Sequence, residues 1–265
     1  MRKKEYGTCS VCDLDKGCEH EGELVDSKAI VIVGAGPGLG VSIARKFGRE
    51  GFRVALVARN RAKLEQLVAT LQAEGIAASA FLADVTDEIA MIAAFNEIKA
   101  QFGFIDVIEY SPVQMPATPE GFGRLAVQRL TTPTARECLE VLALGAVTAI
   151  EQVLPDMLER KQGTILITTG ASAKAFMPMI GGWGIGMAAA RNYAMTLGAA
   201  TREHGVFVAN ICLGVQIARG DPAGDPDTLA ATYLKLYRDR TPREIFINAL
   251  PPEMGEIDSA ATLTT

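Results

Sequence analysis

One glycine-rich segment constrains this chain more than any other feature. The apolar, β-branched run Ala29–Val33 leads directly into residues 34–40, where every second residue is glycine, and a helical pattern follows. Such a strand–turn–helix junction is typical of a phosphate-binding turn, because glycine permits the tight turn and the close approach of a pyrophosphate. The N–H groups and the positive dipole end at the start of the helix attract the anion. Contacts with a dinucleotide are predicted for Gly34, Gly36, Pro37, Gly38, Leu39 and Gly40.

The rest of the chain alternates between strand and helix patterns. Further strands are predicted at Val54–Val57, Ala78–Leu82, Ile105–Ile108, Thr164–Thr168, Val206–Cys212 and near Glu244–Ile247. Helices are predicted at Leu39–Glu50, Arg61–Glu74, Asp87–Phe102, Thr134–Arg160, Gly184–His204 and Thr228–Arg238. Apolar runs of this kind suit parallel strands buried on both faces, and the alternation implies right-handed βαβ units. We therefore predict an α/β fold: a Rossmann-type doubly wound parallel sheet with helices on both faces, in a single domain.

The domain is predicted to span residues 28–250, between an N-terminal appendage at 1–27 and a flexible tail at 251–265. The appendage is polar and lacks apolar periodicity, but it holds four soft ligands: Cys9, Cys12, Cys18 and His20. Three cysteines and a histidine form a known structural zinc set, yet a single Cys-x-x-Cys pair is common by chance. A zinc site, a redox pair and a metal-free leader all remain open.

Composition narrows the classes of partner. The 265 residues carry a formal net charge of −5, which argues against a protein built mainly to bind nucleic acid or anionic lipid. No apolar run is long enough to cross a bilayer, and no apolar signal core follows the basic start. We expect a cytoplasmic protein with neither a membrane nor a nucleic acid as its partner.

The end of the second predicted strand bears on the choice of dinucleotide. An NAD site usually has an acidic residue here for the ribose 2′-hydroxyl, but the chain reads Val57-Ala58-Arg59-Asn60-Arg61. The guanidinium of Arg59 suits a 2′-phosphate, which favours NADP over NAD. The alternative is a solvated arginine that opens the next helix.

From about Lys28 to Gly214 the chain resembles the short-chain dehydrogenase/reductase family. Gly34, Gly38 and Gly40 match the family's glycine loop, and Asp84-Val85 resembles its pair beside the adenine ring. The resemblance implies hydride transfer between NADP(H) and a small carbonyl or hydroxyl compound, with Ser111 near the cofactor at the end of strand four. It also implies a homo-oligomer, a dimer or tetramer, that pairs through the helix Gly184–His204.

The chain departs from the family at the catalytic positions. Leu142, Gly170, Trp183 and Met187 align with the family's Asn, Ser, Tyr and Lys. Indole releases no proton near neutral pH, and methionine carries no charge that could lower a neighbour's pKa. The usual proton transfer therefore cannot operate.

Two interpretations follow. In the first, the protein is an atypical oxidoreductase in which Tyr110, Ser172 or Lys174 has a new catalytic role. The non-catalytic alternative for these groups is that Tyr110 packs on the cofactor and Lys174 is solvated. In the second, the protein is a catalytically inactive nucleotide-binding protein with a sensing or structural role. Arg191 is expected to be a structural ion-pair partner in either case.

Overall fold

The computed structural model describes residues 27–113, 115–116 and 118–249. The predicted appendage lies outside these residues except for Ser27, and so does the tail at 251–265. The cysteines and the histidine of the appendage therefore stay predictions.

Seven parallel strands form one sheet in the order β3-β2-β1-β4-β5-β6-β7. The strands are β1 (Ala29–Val33), β2 (Arg53–Ala58), β3 (Ala78–Leu82), β4 (Val107–Tyr110), β5 (Gly163–Gly170), β6 (Val206–Gly214) and β7 (Glu244–Asn248). The order reverses between β1 and β4, so the connections that leave these strands diverge and open a crevice at their carboxyl ends. The predicted single-domain α/β fold is confirmed.

Helices cover both faces of the sheet. They are α1 (Leu39–Gly48), α2 (Arg61–Ala73), α3 (Glu88–Phe102), α4 (Pro119–Gly123), α5 (Thr132–Leu139), α6 (Gly145–Glu151), α7 (Leu154–Glu159), α8 (Gly181–Ala200) and α9 (Pro226–Asp239). Apolar side chains of α1, α2 and α9 form one core with the sheet, and those of α3, α6, α7 and α8 form the other. No helix in the described part of the chain is long and apolar enough to cross a membrane.

The prediction of one long helix over Thr134–Arg160 is wrong. The structure has α5, a π-helical turn at Glu140–Leu144, α6 and then α7. Pro155 stands in the first turn of α7, where its missing N–H costs nothing, so a new helix begins there. The apolar pattern continues through the π turn, which is why periodicity alone did not show it.

The fourth strand also differs from its prediction. The apolar run suggested Ile105–Ile108, but β4 spans Val107–Tyr110, because Glu109 and Tyr110 also pair with β1 and β5 although Glu109 is not apolar. The carboxyl end of this strand borders the crevice, so the position of the strand end decides which side chains can reach a ligand. The predicted loop Pro112–Pro133 is also more ordered than expected, since it contains α4 and the start of α5.

Candidate functional site

The turn after β1 is built so that only glycine fits at its first position. Gly34 has a φ of +87° and donates to the carbonyl of Val57 on β2 at 2.9 Å. A Cβ on Gly34 would lie 2.6 Å from the backbone of Pro112, which no side chain could tolerate. At the other end of the turn, a Cβ on Gly40 would lie 3.1 Å from the Cα of Ala35. The two glycines therefore hold the turn against β4 and the helix against the turn.

The middle of the same turn is open. A Cβ on Gly36 would meet nothing closer than 3.9 Å, and one on Gly38 would meet only the side chain of Ile217 at 3.8 Å. The space around these two positions therefore does not by itself require glycine. The backbone N–H groups of Val41 and Ser42 donate to the carbonyls of Gly36 and Gly38. The preceding N–H groups at the start of α1 remain for a ligand, which is the arrangement that suits a pyrophosphate.

A cleft of about 670 Å³ runs from this turn across the ends of β2, β3 and β4. Most of the predicted cofactor residues line it: Gly34, Gly36, Pro37, Arg59, Asp84, Val85 and Ser111. The volume is in the range of small-molecule and cofactor sites. Leu39, Gly38 and Gly40 begin α1 beside it.

Arg59 lies at the cleft, but it is not alone there. Its guanidinium is 3.7 Å from the carboxylate of Asp84 and 60% exposed, so it can reorient toward a phosphate. Burial raises the pKa of Asp84, but hydrogen bonds from Thr86 and the charge of Arg59 leave it below its usual value. Lys63, in the first turn of α2, also lines the cleft. Sequence reasoning missed Lys63, although its position four residues after Arg59 could have suggested it.

Tyr110 does not line the cleft. Its side chain is buried, and its hydroxyl donates to the carbonyl of Val141 at 2.6 Å. Burial, with a smaller contribution from the charge of Asp84, raises the pKa of Tyr110 above its ordinary value of 10. A general acid must release its proton to a substrate, and this one is held by a backbone carbonyl. The contacts of Tyr110 thus do not suit the catalytic role considered for it.

The four positions predicted to depart from the family come together in space. Leu142 and Met187 belong to one apolar cluster, and Trp183 packs against it. The sulfur of Met187 accepts the N–H of Gly170 at 3.3 Å. Gly170 has no side chain, and none of the other three side chains releases a proton near neutral pH. The hydroxyl oxygen of Ser172 would lie 3.9 Å from a Cβ on Gly170, so Ser172 borders this cluster.

Lys174 is not the freely solvated lysine of the alternative interpretation, because it is partly buried and ion-paired. Its ammonium group is 3.1 Å from the carboxylate of Glu244 on β7, which also accepts from Arg191 at 2.5 Å and from Asn210 at 3.0 Å. Arg191 is thus an ion-pair partner, as predicted. The hydrogen bond from Arg191 is the main cause that lowers the pKa of Glu244, to about 2, against the opposing effect of burial. Lys174 is therefore an ion-pair partner of β7, and Tyr110 has no contact in that pair.

A buried network of four polar groups lies on the other face of β4. Glu109 is fully buried, accepts from Ser111 at 2.9 Å, and lies 2.7 Å from the hydroxyl of Thr168 on β5. That hydroxyl is 2.7 Å from the hydroxyl of Tyr233 on α9. Sequence reasoning missed this network, although a lone glutamate in an apolar strand could have signalled it.

No group of three or more His, Cys, Asp or Glu side chains suited to a metal ion occurs within the residues that the structure describes. The predicted zinc ligands Cys9, Cys12, Cys18 and His20 lie outside them.

Comparison with known proteins shows where this architecture occurs. A family model described as short chain dehydrogenase matches residues 28–218. The fatty acyl-CoA reductase of Acinetobacter baylyi is 27% identical over 191 residues, which cover 71% of this chain and 62% of that protein. The 2,3-dihydro-2,3-dihydroxybenzoate dehydrogenase of Bacillus subtilis is 31% identical over 150 residues, which cover 56% of this chain and 54% of that protein. The matches thus span little more than half of each relative's length.

Solved structures agree on the fold. A metagenomic short-chain oxidoreductase in complex with NADP has a TM-score of 0.72 at 21% identity, covering 84% of this chain and 98% of that one. A 3-oxoacyl-[acyl-carrier protein] reductase of Brucella melitensis with bound NAD has a TM-score of 0.72 at 19% identity, covering 85% and 90%. Both resemble the present chain in the path of its backbone.

Proposed function

Because this chain belongs to the short-chain dehydrogenase family, we propose that it is an NADP(H)-binding oxidoreductase that acts on a small carbonyl or hydroxyl compound with a rearranged proton transfer. The observation that carries the proposal is the open middle of the glycine turn. Gly36 and Gly38 have free space where a side chain would stand, beside the N-terminal end of α1. Bound NAD or NADP in solved structures of the same fold supports a dinucleotide as the occupant.

Each part of the cleft has a role in this proposal. The glycine turn holds the pyrophosphate through backbone N–H groups. Arg59 and Lys63 supply positive charge for a 2′-phosphate, which favours NADP over NAD. A bound nicotinamide dinucleotide supplies or accepts the hydride. Ser172 is the hydroxyl that borders the position of Gly170 and can orient a carbonyl oxygen.

A second candidate function is binding without catalysis. The apolar side chains of Leu142, Trp183 and Met187 favour it, because they provide no proton donor where the family has one. The protein would then keep the nucleotide for a sensing or structural role. We further propose a cytoplasmic homo-oligomer in both cases.

The cofactor proposal predicts a difference between NADPH and NADH in thermal unfolding. NADPH should raise the unfolding midpoint more, because its 2′-phosphate meets the positive charge of Arg59 and Lys63 and NADH has no such group. A ligand at 100 times its Kd adds about 2.7 kcal/mol of stability. Arg59→Ala should remove this preference, while Arg61→Ala, whose partner is Glu65 on the solvent side of α2, should keep it. Equal midpoint shifts with both nucleotides would contradict the NADP assignment. The absence of any shift at millimolar nucleotide would contradict the site itself.

Turnover separates the two candidate functions. Oxidation of NADPH should be followed by absorbance with a series of ketones and aldehydes. We expect slow reduction, because the loss of general acid catalysis typically costs 10²- to about 10⁴-fold in rate. Ser172→Ala should reduce that rate further. Binding of NADPH without turnover of any substrate would favour the second candidate, and rapid turnover that is indifferent to Ser172→Ala would contradict the assigned role of that hydroxyl.

A further inference from the structure

The buried acid Glu109 has no counter-ion among the residues that the structure describes. Its carboxylate meets only the hydroxyls of Ser111 and Thr168, and it takes part in none of the ion pairs of the described residues. Opposite it on β1 stands Ile32. Among titratable groups, the phenol of Tyr233 on α9 faces the network through Thr168. Burial raises the pKa of Glu109 to about 7, although hydrogen bonds from Thr168 and Ser111 lower it.

The charged groups on the two helices that cover this face are engaged elsewhere. Those of α1 and α9 pair with one another, with neighbouring helices or with nearby loops, as follows: Arg45 with Glu74 and Asp227, Arg219 with Asp227, Lys235 with Asp239, and Arg238 with Glu50. Lys46 is exposed on the outer side of α1. None of these groups neutralises Glu109, so its proton depends on the network alone.

The direction of the hydrogen bonds depends on that proton. An ionised Glu109 only accepts, so the hydroxyls of Ser111 and Thr168 must both donate to it. A neutral Glu109 has a proton of its own and can donate to Ser111 instead. The hydroxyl proton of Ser111 then becomes available to a group in the cleft. One proton thus decides whether Ser111 offers the cleft a donor or an acceptor.

Ser111 stands at the place where this choice matters. Its N–H donates to the carbonyl of Val33 at 3.0 Å, directly before the glycine turn. A Cβ on Gly34 would lie 3.0 Å from the carbonyl carbon of Ser111, and both residues line the cleft. Phosphate oxygens accept hydrogen bonds and do not donate them, and their negative charge opposes a buried carboxylate nearby.

We propose that Glu109 is a positioning residue that takes up a proton when a dinucleotide binds, and that it acts through the hydroxyl of Ser111. The inference rests on the dinucleotide site proposed above. It assigns the cleft a proton-linked affinity that the glycine turn and Arg59 alone would not produce.

The sign of the linkage follows from the two protonation states. Well below pH 7, Glu109 is neutral before and after binding, so affinity does not depend on it. Above pH 7 the free protein loses the proton and must regain it on binding, so the Kd rises with pH. If binding raises the pKa of Glu109 by one unit, the affinity falls about tenfold between pH 6 and pH 9.

Titration calorimetry of the full chain with NADPH at pH 8 tests the proposal. The number of protons taken up is obtained from two buffers with different ionisation enthalpies. At pH 8 the 2′-phosphate of NADPH is already ionised, since the second pKa of a phosphate monoester is about 6. We expect a fractional to full proton taken up per nucleotide by the natural chain. Glu109→Gln should take up none, and its Kd should not change between pH 7 and pH 9.

Glu97→Gln is the matched control, because Glu97 is exposed on α3, away from the cleft, and should keep the natural behaviour. Ser111→Ala should reduce the uptake at pH 8, because Glu109 without that donor stays protonated to a higher pH before binding. Tyr233→Phe keeps the ring and weakens the far end of the network, so the fall in affinity should move to higher pH. This variant and the natural chain carry the test if Glu109→Gln does not fold.

Binding by the natural chain with no proton uptake at pH 8 would overturn the inference and leave the proposed function standing. Uptake that persists unchanged in Glu109→Gln would assign the proton to another group and overturn it as well. No binding of NADPH at millimolar concentration would overturn the proposed function, and this inference with it.

Discussion

Neighbouring residues of β4 have opposite environments because side chains alternate between the faces of a strand. Tyr110 points to the face covered by α6, where a Cβ on Gly145 would lie 2.4 Å from its hydroxyl. Glu109 and Ser111 point to the face covered by α1 and α9. A sequence shows this alternation but not which residue of the strand is its last. That is why Tyr110 and Ser111 were assigned to the cleft together, although the two side chains lie on different faces.

At the scale of one residue, Glu109 predicts a pH dependence of folding. An ordinary glutamate carboxyl has a pKa of 4.5, and Glu109 in the folded protein has a pKa of about 7. Between these two pH values the folded state therefore binds more protons than the unfolded state. The free energy of unfolding should therefore fall by about 3 kcal/mol as pH rises from below 4.5 to above 7. The free energy of unfolding of Glu109→Gln should not show this fall, because glutamine does not titrate. Urea unfolding at pH 5 and pH 8 should show the variant gaining about 2 kcal/mol relative to the natural chain, and parallel pH profiles would contradict the assignment.

At the scale of elements, the start of α1 was predictable and the π-helical turn between α5 and α6 was not. Residues 34–40 contain the tight turn, the glycine that lies against the backbone of Pro112, and the start of the helix. These are seven consecutive positions, so the local pattern was enough to predict the site. The π turn at Glu140–Leu144 directly precedes Gly145, which lies against the hydroxyl of Tyr110 on β4. No periodicity within the helix records that contact.

The ion pairs that hold β7 through Glu244 also could not be predicted from local sequence pattern. Arg191 could be expected to form an ion pair, but its partner Glu244 lies 53 residues away in sequence. Glu244 draws together β7, β6, α8 and the turn that carries Lys174. The pairing exists because β7 lies next to β6 at the edge of the sheet, and only the topology decides that.

At the scale of the whole molecule, the outer side of α8 predicts self-association. Ile185 is 42% exposed there, and the nearby Phe176 and Met179 are 64% and 71% exposed. Light scattering after size exclusion should give two or four times the 28.2 kDa of one chain. Ile185→Glu should shift the mass toward one chain, because the charge would lose its hydration at the interface. Ile89→Glu is the control, since Ile89 is 81% exposed on α3. A natural chain that is monomeric at micromolar concentration would contradict the prediction.

The sequence by itself determined the class of the fold and the position of the glycine turn, and it predicts departures from the family at Gly170, Trp183 and Met187. Each of these is recorded in consecutive residues or in a regular period. Only the tertiary structure decided that Lys174 pairs with Glu244 and that Glu109 meets Thr168, 59 residues further along the chain. Such contacts depend on which strands become neighbours and which face of a strand a side chain occupies, and local pattern does not encode either one.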